Sequence, residues 1–295
     1  MKILLICINY KSDKETLLFV EEVLTLPCDC DMDLVVVDNN CAVSSDVLET
    51  SLNAVGHKHG KNLLYFKTSQ NLGYFGGARH GLSRYLSAHS MPEWVIVSNV
   101  DIKFISKDFM HQLANRNDTN DAVGVVAPSI ISGVDGRDQN PLMLRRPHRS
   151  RMAFYTCIYR SVILVNLYEI LSLVKKSLIG RWRGASTTPS EFKTIYAPHG
   201  SFMIFSRQYF ERAGSLDFPC FLFGEEIFVA ETARSIGLDV VYEPSLQLLH
   251  DEHLVTRRFW SRQKVRYQHE SIKYLMDAFF TRSSDADKKR KRREA

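Results

Sequence analysis

Short apolar runs that alternate with amphipathic segments are the feature that most constrains the fold of this chain. Four such runs have the length of strands, and residues with helical hydrophobic spacing separate them. The runs are residues 3–8, 34–37, 63–66 and 94–97. Since parallel strands need crossover connections that are usually helices, this order predicts an α/β fold with a mostly parallel central sheet flanked by helices.

A polar side chain follows each of these predicted strands. The four residues are Asn9, Asp38, Asn71 and Asp101. In open α/β sheets, ligands bind beyond the carboxyl ends of the strands. We therefore expect the four side chains to converge on one rim and to form a site there.

The C-terminal half continues the pattern less regularly. Strands are predicted at residues 201–205, 239–242 and 246–249, a helix is predicted to run from Glu225-Glu226 to Gly237, and another helix is predicted at residues 259–280. The strand at 246–249 runs directly into His250.

Length and composition suit a single domain. The chain has 295 residues, of which 45% are hydrophobic, enough to bury one large core. We assign this domain to residues 1–282, with a helical insert at about 145–185 that the sheet pattern does not require. Residues 283–295 are predicted to be a disordered tail.

Positive charge is concentrated in the tail. Lys and Arg number 38 against 33 Asp and Glu, a net charge of +5, and residues 288–293 are six consecutive cations. The rest of the chain is therefore close to neutral. A block of like charges repels itself, and its expected partner is an anionic surface such as that of a membrane.

The six cysteines give no sign of a metal site. They include no Cys-x-x-Cys pair, and Cys28-Asp29-Cys30 lacks a second pair or a histidine cluster that would complete a zinc site. We interpret them as reduced thiols. The apolar run at residues 3–8 is too short for a secretory signal, so a cytoplasmic location is predicted.

Several motifs have both a structural and a chemical interpretation. The segment NLGYFGG at residues 71–77 is either a loop with capping glycines or a backbone cradle for phosphate at a helix start. Asp101 is either a turn or capping residue, or a ligand of Mg²⁺ or Mn²⁺ held together with a diphosphate. Glu225-Glu226 either complements the helix dipole or forms a pair in which one pKa rises toward that of a general base. His250 is either structural or a metal ligand.

Taken in order, these segments resemble the inverting family-two glycosyltransferases with the GT-A nucleotide-diphospho-sugar transferase fold, especially the rhamnosyl- and galactosyltransferase-like enzymes of bacterial surface polysaccharides. The resemblance covers roughly residues 2–250 and rests on the order of the motifs, since no single motif decides it. The segments that carry it are INY, VVVDNN, NLGYFGGARHG, SNVDIKF, APHGSFMIFSR and FLFGEEIFVAETARSIGL.

The resemblance implies a role for each matching position. Asp101 would bind the metal, Mg²⁺ or Mn²⁺, that holds the diphosphate, and His250 would assist it. Glu226, in the pair with Glu225, would be the catalytic base. The positions implied to bind the nucleotide sugar are Asn9, Asp38, Asn71, Gly73, Gly77, Asn99 and Gly200.

The sequence departs from the family pattern in three places. Asn99 stands where the usual Asp-x-Asp has its first acid, which leaves the metal with one carboxylate fewer and predicts weaker metal binding. Glu226 replaces the more frequent Asp at the base position. Phe228 stands where many relatives have another Asp.

The implied activity is the transfer of a hexose or deoxyhexose, with inversion, from a nucleotide-sugar donor to a saccharide acceptor in cell-surface polysaccharide synthesis. A UDP- or TDP-sugar is the expected donor. Glu226 would take the proton of the acceptor hydroxyl, while Asp101 and its cation stabilise the charge on the leaving nucleoside diphosphate.

The insert combines an apolar helical face with basic flanks. The flanking basic residues are Arg145, Arg146, Arg149, Arg151, Arg160, Lys175, Lys176, Arg181 and Arg183. The apolar residues of 162–178 on this face are Ile163, Leu167, Ile170, Leu171, Val174 and Leu178. Charges at Arg160, Glu169 and Lys175 leave no apolar span long enough for a transmembrane helix. The pattern fits a helix in the membrane interface, although packing on the domain or in a homodimer contact is an equal alternative.

Together with the tail, the insert predicts a protein bound peripherally at the inner face of the cell membrane, with a lipid-linked saccharide acceptor. Two other functions remain alternatives. A nucleic-acid-binding protein would need aromatic residues between the cations of the tail, which has none, so no nucleic-acid partner is expected. A nucleotidyltransferase on a similar sheet would have a glycine-rich basic loop after its first strand, where this chain has NYKSDKE.

Overall fold

The computed structural model describes residues 1–28, 30–40, 46–116, 122–179, 191–251 and 260–281, with the backbone alone for residues 46 and 173–179. These residues form a central sheet between two layers of helices. The strands are β1 (Lys2–Asn9), β2 (Asp31–Asp38), β3 (Asn62–Lys67), β4 (Trp94–Ser98), β5 (Ile102–Phe104), β6 (Val123–Ser132), β7 (Lys193–Ile195), β8 (Phe202–Ser206) and β9 (Asp239–His250). The helices are α1 (Asp13–Thr25), α2 (Asp46–His59), α3 (Gly73–Leu86), α4 (Phe109–Ala114), α5 (Arg149–Ile158), α6 (Val162–Ile179), α7 (Arg207–Glu211), α8 (Glu225–Ser235) and α9 (Arg262–Leu275).

The strands lie in the order β3-β2-β1-β4-β8-β6-β9-β5, and β7 pairs with β9. The first four strands are parallel to one another, as predicted, and β6 is parallel to β9. Strand β8 lies antiparallel between β4 and β6, and β5 and β7 lie antiparallel to β9. The α/β class is therefore confirmed, but the sheet is mixed rather than mostly parallel, because hydrophobic runs predict strands without giving their directions.

Both faces of the sheet are buried, which explains why its strands read as continuous apolar runs. Successive side chains of β1 point to opposite faces. Ile3 and Leu5 join the core beneath α1, α2 and α4, whereas Leu4 and Ile6 join the core beneath α3, α8 and α9.

Helix α3 lies unusually close to the sheet because glycines face it. A Cβ atom on Gly81 would lie 2.7 Å from Val37 Cγ2 and 3.1 Å from Ile6 Cγ2, and one on Gly77 would lie 3.3 Å from Ile8 Cδ1. These glycines therefore serve packing, and the close approach fixes where the first turn of α3 meets the rim.

The C-terminal elements differ from the sequence predictions in detail. The two strands predicted at 239–242 and 246–249 are one strand, β9, whose register against β6 shifts between Pro128 and Ser129. The described part of the last helix is α9, and it ends in a π-helical turn at Met276–Phe280. Helix α8 ends just before Gly237, as predicted.

The structure joins Cys28 and Cys30, in the loop between α1 and β2, as a disulfide. The prediction that all six cysteines are reduced is therefore wrong for this pair. Cys41, Arg181, Arg183 and the basic run 288–293 lie outside the described residues, so the predictions about them stay predictions, as do the limits of the domain.

Replacing Gly81 by Val should destabilise the protein by about 1–3 kcal/mol, because the added carbons would enter space held by Val37 and Ile6 on two central strands. Urea denaturation measures this free energy of unfolding. The control is Ser83→Val on the exposed face of the same helix, where only the helix propensity changes, by about 0.5 kcal/mol or less. Equal losses in the two variants would contradict the close packing of α3.

Candidate active site

Polar residues follow β2, β1 and β4 along one edge of the sheet. The register pairs Asn9 with Asp38 and Cys7 with Ser98, so the carboxyl ends of these three strands are level. Asn99 and Asp101 follow Ser98 directly. The rim predicted from the sequence is therefore present.

Asn9 and Asp38 are both fully buried, and they bond to each other. Asp38 Oδ1 accepts hydrogen bonds from Asn9 Nδ2 at 3.1 Å and from the Asn40 amide at 3.0 Å, and Asp38 Oδ2 accepts one from the Tyr65 hydroxyl at 2.7 Å. Asn9 Nδ2 also donates to Asp13 Oδ1 at 2.8 Å. These side chains hold the rim loops together from beneath, and their predicted contact with a nucleotide stays a prediction.

The loop before α3 is held against the segment before α8. Asn71 Oδ1 accepts from the Gly73 amide at 2.9 Å, and Asn39 Nδ2 donates to the Gly73 carbonyl at 2.9 Å. Gly73 has a φ of +75°, and a Cβ atom there would overlap the carbonyl oxygen of Phe221. Only glycine satisfies both constraints, so Gly73 joins the two walls of the site, while Gly77 faces the sheet.

Asp101 and His250 face each other where β5 pairs with β9. The Asp251 amide donates to the Asp101 carbonyl at 2.8 Å, and Ile102 lies opposite His250 in the ladder. Asp101 Oδ2 lies 3.4 Å from His250 Nε2, and the two side chains are only 9% and 10% exposed. Asp101 Oδ1 is buried and has no hydrogen-bond partner among the described residues.

The orientation of His250 suits a shared cation. His250 Nδ1 lies 2.8 Å from Gln139 Oε1, which can only accept, so Nδ1 carries the proton. In the neutral imidazole, Nε2 then presents a lone pair to the Asp101 carboxylate. The lone pair and the carboxylate repel each other, and a proton on Nε2 or a cation between the two groups would remove this repulsion.

Asn99, Gly200 and Glu226 meet at the start of β8. The Asn99 amide donates to the Ser201 carbonyl at 2.8 Å, which holds the rim loop against the start of β8. A Cβ atom on Gly200 would lie 2.6 Å from Glu226 Oε1, so the carboxyl of Glu226 rests directly on the Gly200 backbone. The structure thus brings together three of the predicted site residues.

Helix α8 begins at the paired glutamates after two left-handed residues, Phe223 with a φ of +72° and Gly224 with a φ of +89°. Glu225 is buried, and its burial, followed by the charge of Glu226, raises its pKa to about 8. Burial likewise raises the pKa of Glu226, although its carboxyl accepts hydrogen bonds from the amides of Gly224 and Glu226 itself. Neighbouring carboxyls in such a setting do not both ionise readily.

Two site residues were missed by the sequence reasoning. The ring of His199 lies 5.7 Å from that of His250, and its Nδ1 lies 2.9 Å from Ser201 Oγ. Burial, followed by the proximity of His250, lowers the pKa of His199 to about 4, so this imidazole is neutral. His199 lies in the motif APHG, but nothing in the sequence indicated that it would meet His250 at the end of β9.

Tyr74 was the second residue missed. Its hydroxyl is buried without a hydrogen-bond partner among the described residues. Burial, followed by the charges of Glu225, Asp101 and Glu226, raises its pKa well above the ordinary value of 10.0. Both Asp101 and the glutamate pair thus act on this one hydroxyl.

The structure describes no group of three or more histidine, cysteine, aspartate or glutamate side chains that could alone hold a metal ion. Asp101 and His250 could supply two ligands, one of them an oxygen without a partner. Mg²⁺ and Mn²⁺ commonly take few protein ligands and complete their shell with phosphate and water. The residues present therefore fit a divalent cation that binds together with a diphosphate.

The insert next to this site exposes much of its apolar surface. On α6, Ile163 is 78% exposed, Leu167 49% and Leu171 58%, while Val165 is buried. Of the described residues, no single helix has the length and apolar composition to cross a membrane. Taken together, α5 and the first part of α6 have both, but a bend of 120° separates them.

Contacts with Trp260 connect the insert to the wall of the site. The Trp260 ring lies 5.2 Å from that of Tyr159 at the end of α5 and 5.6 Å from that of Phe223, just before the paired glutamates. Arg146, at the entry to the insert, forms a bidentate ion pair with Glu231 of α8 at 2.6 and 3.1 Å. Arg146, one of the basic residues that flank the insert, is thus paired within the domain.

Comparisons with known proteins identify the fold. No protein-family model matches the chain, and no curated protein matches it significantly in sequence. It is similar in structure to GalNAc-T7 with UDP, GalNAc and Mn²⁺, with a TM-score of 0.60 and 12% identity over 92% of this chain and 48% of that one. It is also similar to TarS from S. aureus in complex with UDP-GlcNAc, with a TM-score of 0.55 and 13% identity over 97% of this chain and 70% of that one.

Identities this low establish the fold alone, and the chain spans about half the length of GalNAc-T7. The chain has the GT-A glycosyltransferase fold. The fold implied by the sequence resemblance is therefore confirmed.

Replacing Glu225 by Gln should stabilise the protein more at pH 8 than at pH 5. The folded protein keeps the Glu225 proton to higher pH than the unfolded chain, whose ordinary pKa is 4.5, so the stability of the wild type falls as the pH rises through this window. The gain at pH 8 should be on the order of 1–3 kcal/mol, measured by urea denaturation at both pH values.

Glu211→Gln, at an exposed position, is the control and should show no difference between the two pH values. A Glu225→Gln effect that is equal at pH 5 and pH 8 would contradict the raised pKa.

Proposed function

We propose that this chain is a glycosyltransferase that moves a sugar from a nucleoside diphosphate donor to a saccharide acceptor, with inversion at the anomeric carbon. The observation that carries the proposal is Asp101, which has one buried oxygen without a partner among the described residues and the other 3.4 Å from His250. His250 in turn lies beside His199, whose neighbour Gly200 contacts Glu226. A GT-A fold with a carboxylate at this strand end and a second acid nearby suits such a transfer.

Asp101 and His250 would hold the divalent cation, Mg²⁺ or Mn²⁺, on the diphosphate side of the site. When bound, the cation would neutralise the charge that grows on the leaving diphosphate. The structurally similar GalNAc-T7 is described with Mn²⁺ and UDP, which supports this choice of metal. Gln139 orients His250 for the role by accepting a hydrogen bond from its Nδ1.

Glu226 would act as the general base. Its carboxyl rests on Gly200 and the residue is partly exposed, whereas Glu225 is buried. A carboxyl with a raised pKa takes a proton from an acceptor hydroxyl more effectively than an ordinary one, and burial raises the pKa of Glu226. Burial and the charge of Glu226 raise the pKa of Glu225 to about 8, so Glu225 keeps its proton and leaves the base role to Glu226.

A nucleotide sugar is the donor that suits this site best, with UDP- or TDP-sugars as the first choice and a hexose or deoxyhexose as the sugar. TarS binds UDP-GlcNAc on a similar fold. Asn9, Asp38 and Asn71 shape the rim on which the nucleotide would lie, and Asn99 and Gly200 line the sugar side.

The exposed face of α6 favours a lipid-linked acceptor used in cell-surface polysaccharide synthesis. Its large apolar side chains are accompanied by exposed cations at Arg149, Arg151 and Arg160, a composition suited to an anionic membrane interface. Through Trp260, this face is connected to the wall that carries Glu226. The protein would then work at the inner face of the cell membrane, and a homodimer through α6 is the alternative use of the same face.

Two single substitutions should separate the proposed roles. In Asp101→Ala, metal-dependent thermal shift by nucleotide sugars and release of nucleoside diphosphate should both disappear. In Glu226→Gln, the thermal shift should remain while turnover falls about 10²–10⁴-fold, as expected for loss of a general base. A panel of UDP-, TDP- and GDP-sugars with Mn²⁺, or with EDTA, provides both measurements.

Glu211→Gln is the control for both variants. Turnover that persists in EDTA would contradict the metal role, and full turnover by Glu226→Gln would remove this residue as the base. Far-UV circular dichroism checks that Asp101→Ala still folds.

Serine substitutions of Ile163, Leu167 and Leu171 together should weaken binding to vesicles that contain phosphatidylglycerol by at least about 10-fold. Each exposed side chain would otherwise bury apolar area worth on the order of 1–2 kcal/mol. Cosedimentation with the vesicles measures the bound fraction. The matched control replaces Leu18, Val47 and Ile105, which are exposed on other elements, and should bind as the wild type does. Equal binding by both triple variants would contradict a membrane role for α6.

A further inference from the structure

The position of Tyr74 is fixed by backbone packing rather than by its hydroxyl. Tyr74 is the second residue of α3 and follows Gly73, whose α-carbon packs against the Phe221 carbonyl. Two further glycines of α3, Gly77 and Gly81, set the distance of the helix from the sheet. The ring packs beside Phe75, with 5.7 Å between the centroids. The hydroxyl is therefore held in the site without bonds of its own.

This hydroxyl is an exception within the molecule. Buried tyrosine hydroxyls normally have a hydrogen-bond partner, and other buried tyrosines of the described chain have one. Three of them donate to carboxylates: Tyr85 to Asp33 at 2.6 Å, Tyr196 to Glu231 at 2.6 Å and Tyr242 to Asp138 at 2.7 Å. Tyr209 donates to the Ser215 carbonyl at 3.1 Å. The Tyr74 hydroxyl is buried without a partner among the residues that the structure describes.

The surroundings of the hydroxyl are acidic, yet they do not satisfy it. Asp101, Glu225 and Glu226 all act on it electrostatically, but none of them accepts its proton in a hydrogen bond. A hydroxyl among carboxylates stays protonated, so it remains a donor. The ligand that completes this site must therefore bring an acceptor oxygen to it.

The proposed reaction says which oxygen this is. The diphosphate would lie with Asp101 and His250, and the acceptor hydroxyl would lie with Glu226, so the sugar being transferred occupies the space between them. Since both Asp101 and Glu226 act on the Tyr74 hydroxyl, the oxygen that it meets would belong to the sugar ring or its hydroxyls.

We propose that Tyr74 positions the donor sugar by donating a hydrogen bond from its hydroxyl to a sugar hydroxyl oxygen. The inference rests on the proposed function and deepens it, since it makes Tyr74 a residue that distinguishes one sugar from another. A site that leaves a buried donor unpaired discriminates strongly against a sugar that lacks the matching oxygen.

Tyr74→Phe tests the inference, because it removes the hydroxyl and keeps the ring. In the ligand-free protein, its melting temperature should equal or exceed that of the wild type, since a buried polar group without a partner is lost. The matched control is Tyr85→Phe on the same helix, which breaks the bond to Asp33 and should lower the melting temperature. A similar fall in Tyr74→Phe would overturn the inference.

Ligand binding is measured by calorimetry with Mn²⁺, using the nucleotide sugar that the wild type turns over in the UDP-, TDP- and GDP-sugar panel, and the corresponding nucleoside diphosphate alone. The Kd of Tyr74→Phe for the nucleotide sugar should rise about 10-fold, as loss of one hydrogen bond predicts. Its Kd for the nucleoside diphosphate should not change.

Each other result has a distinct meaning. Equal weakening toward both ligands, or no weakening toward either, would overturn the role of Tyr74 while leaving the proposed function intact. If the wild-type protein binds and turns over none of the nucleotide sugars, the proposed function fails, and the inference fails with it.

Discussion

The need to compensate carboxylates buried at the edge of an apolar sheet governs much of this structure. A buried charge is costly unless it is paired, hydrogen-bonded or protonated, and most of the acids here meet one of these conditions. Asp38 accepts three hydrogen bonds, and Glu231 receives Arg146 and the Tyr196 hydroxyl. Burial raises the pKa of Glu225 to about 8, so it keeps its proton above the usual range.

Asp101 is different, because one oxygen has no partner among the described residues and the other has only a long contact with His250. The exception marks the place where a ligand is expected.

Backbone constraints hold the two walls around this place. Gly73 admits the Phe221 carbonyl at the start of α3, and Phe223 and Gly224 take left-handed conformations at the start of α8. A left-handed conformation is costly for a phenylalanine, and such residues persist only where their surroundings fix them. Here the Trp260 ring packs on Phe223 and also on Tyr159 of the insert. The wall that carries Glu226 is therefore built partly from the insert, which gives the insert a structural share in the site.

Much of the fold could be predicted from the sequence, because its strongest signals are local. The runs at residues 3–8 and 94–97 are buried on both faces and are strands, and Asn9, Asp38 and Asp101 follow strands on one edge. The antiparallel direction of β8 could not be predicted, since it depends on how the chain returns after the insert. The full burial of Asp38 and the pairing of Arg146 with Glu231 are also tertiary properties. Tyr74 and His199 lay inside recognised motifs, but only coordinates show that one hydroxyl lacks a partner and that two imidazoles meet.

Arg146 connects the entry of the insert with the last described turn of the chain. Besides Glu231, its guanidinium donates to the Phe279 carbonyl at 2.8 Å and lies 4.3 Å from the centre of the Phe280 ring. The last described turn is thereby fastened to the entry of the insert. The chain at Thr281 therefore lies beside the entry of the insert. If the basic run and α6 both bind a lipid surface, as proposed, contact by one of them raises the local concentration of that surface for the other, and the attachment is an avidity effect.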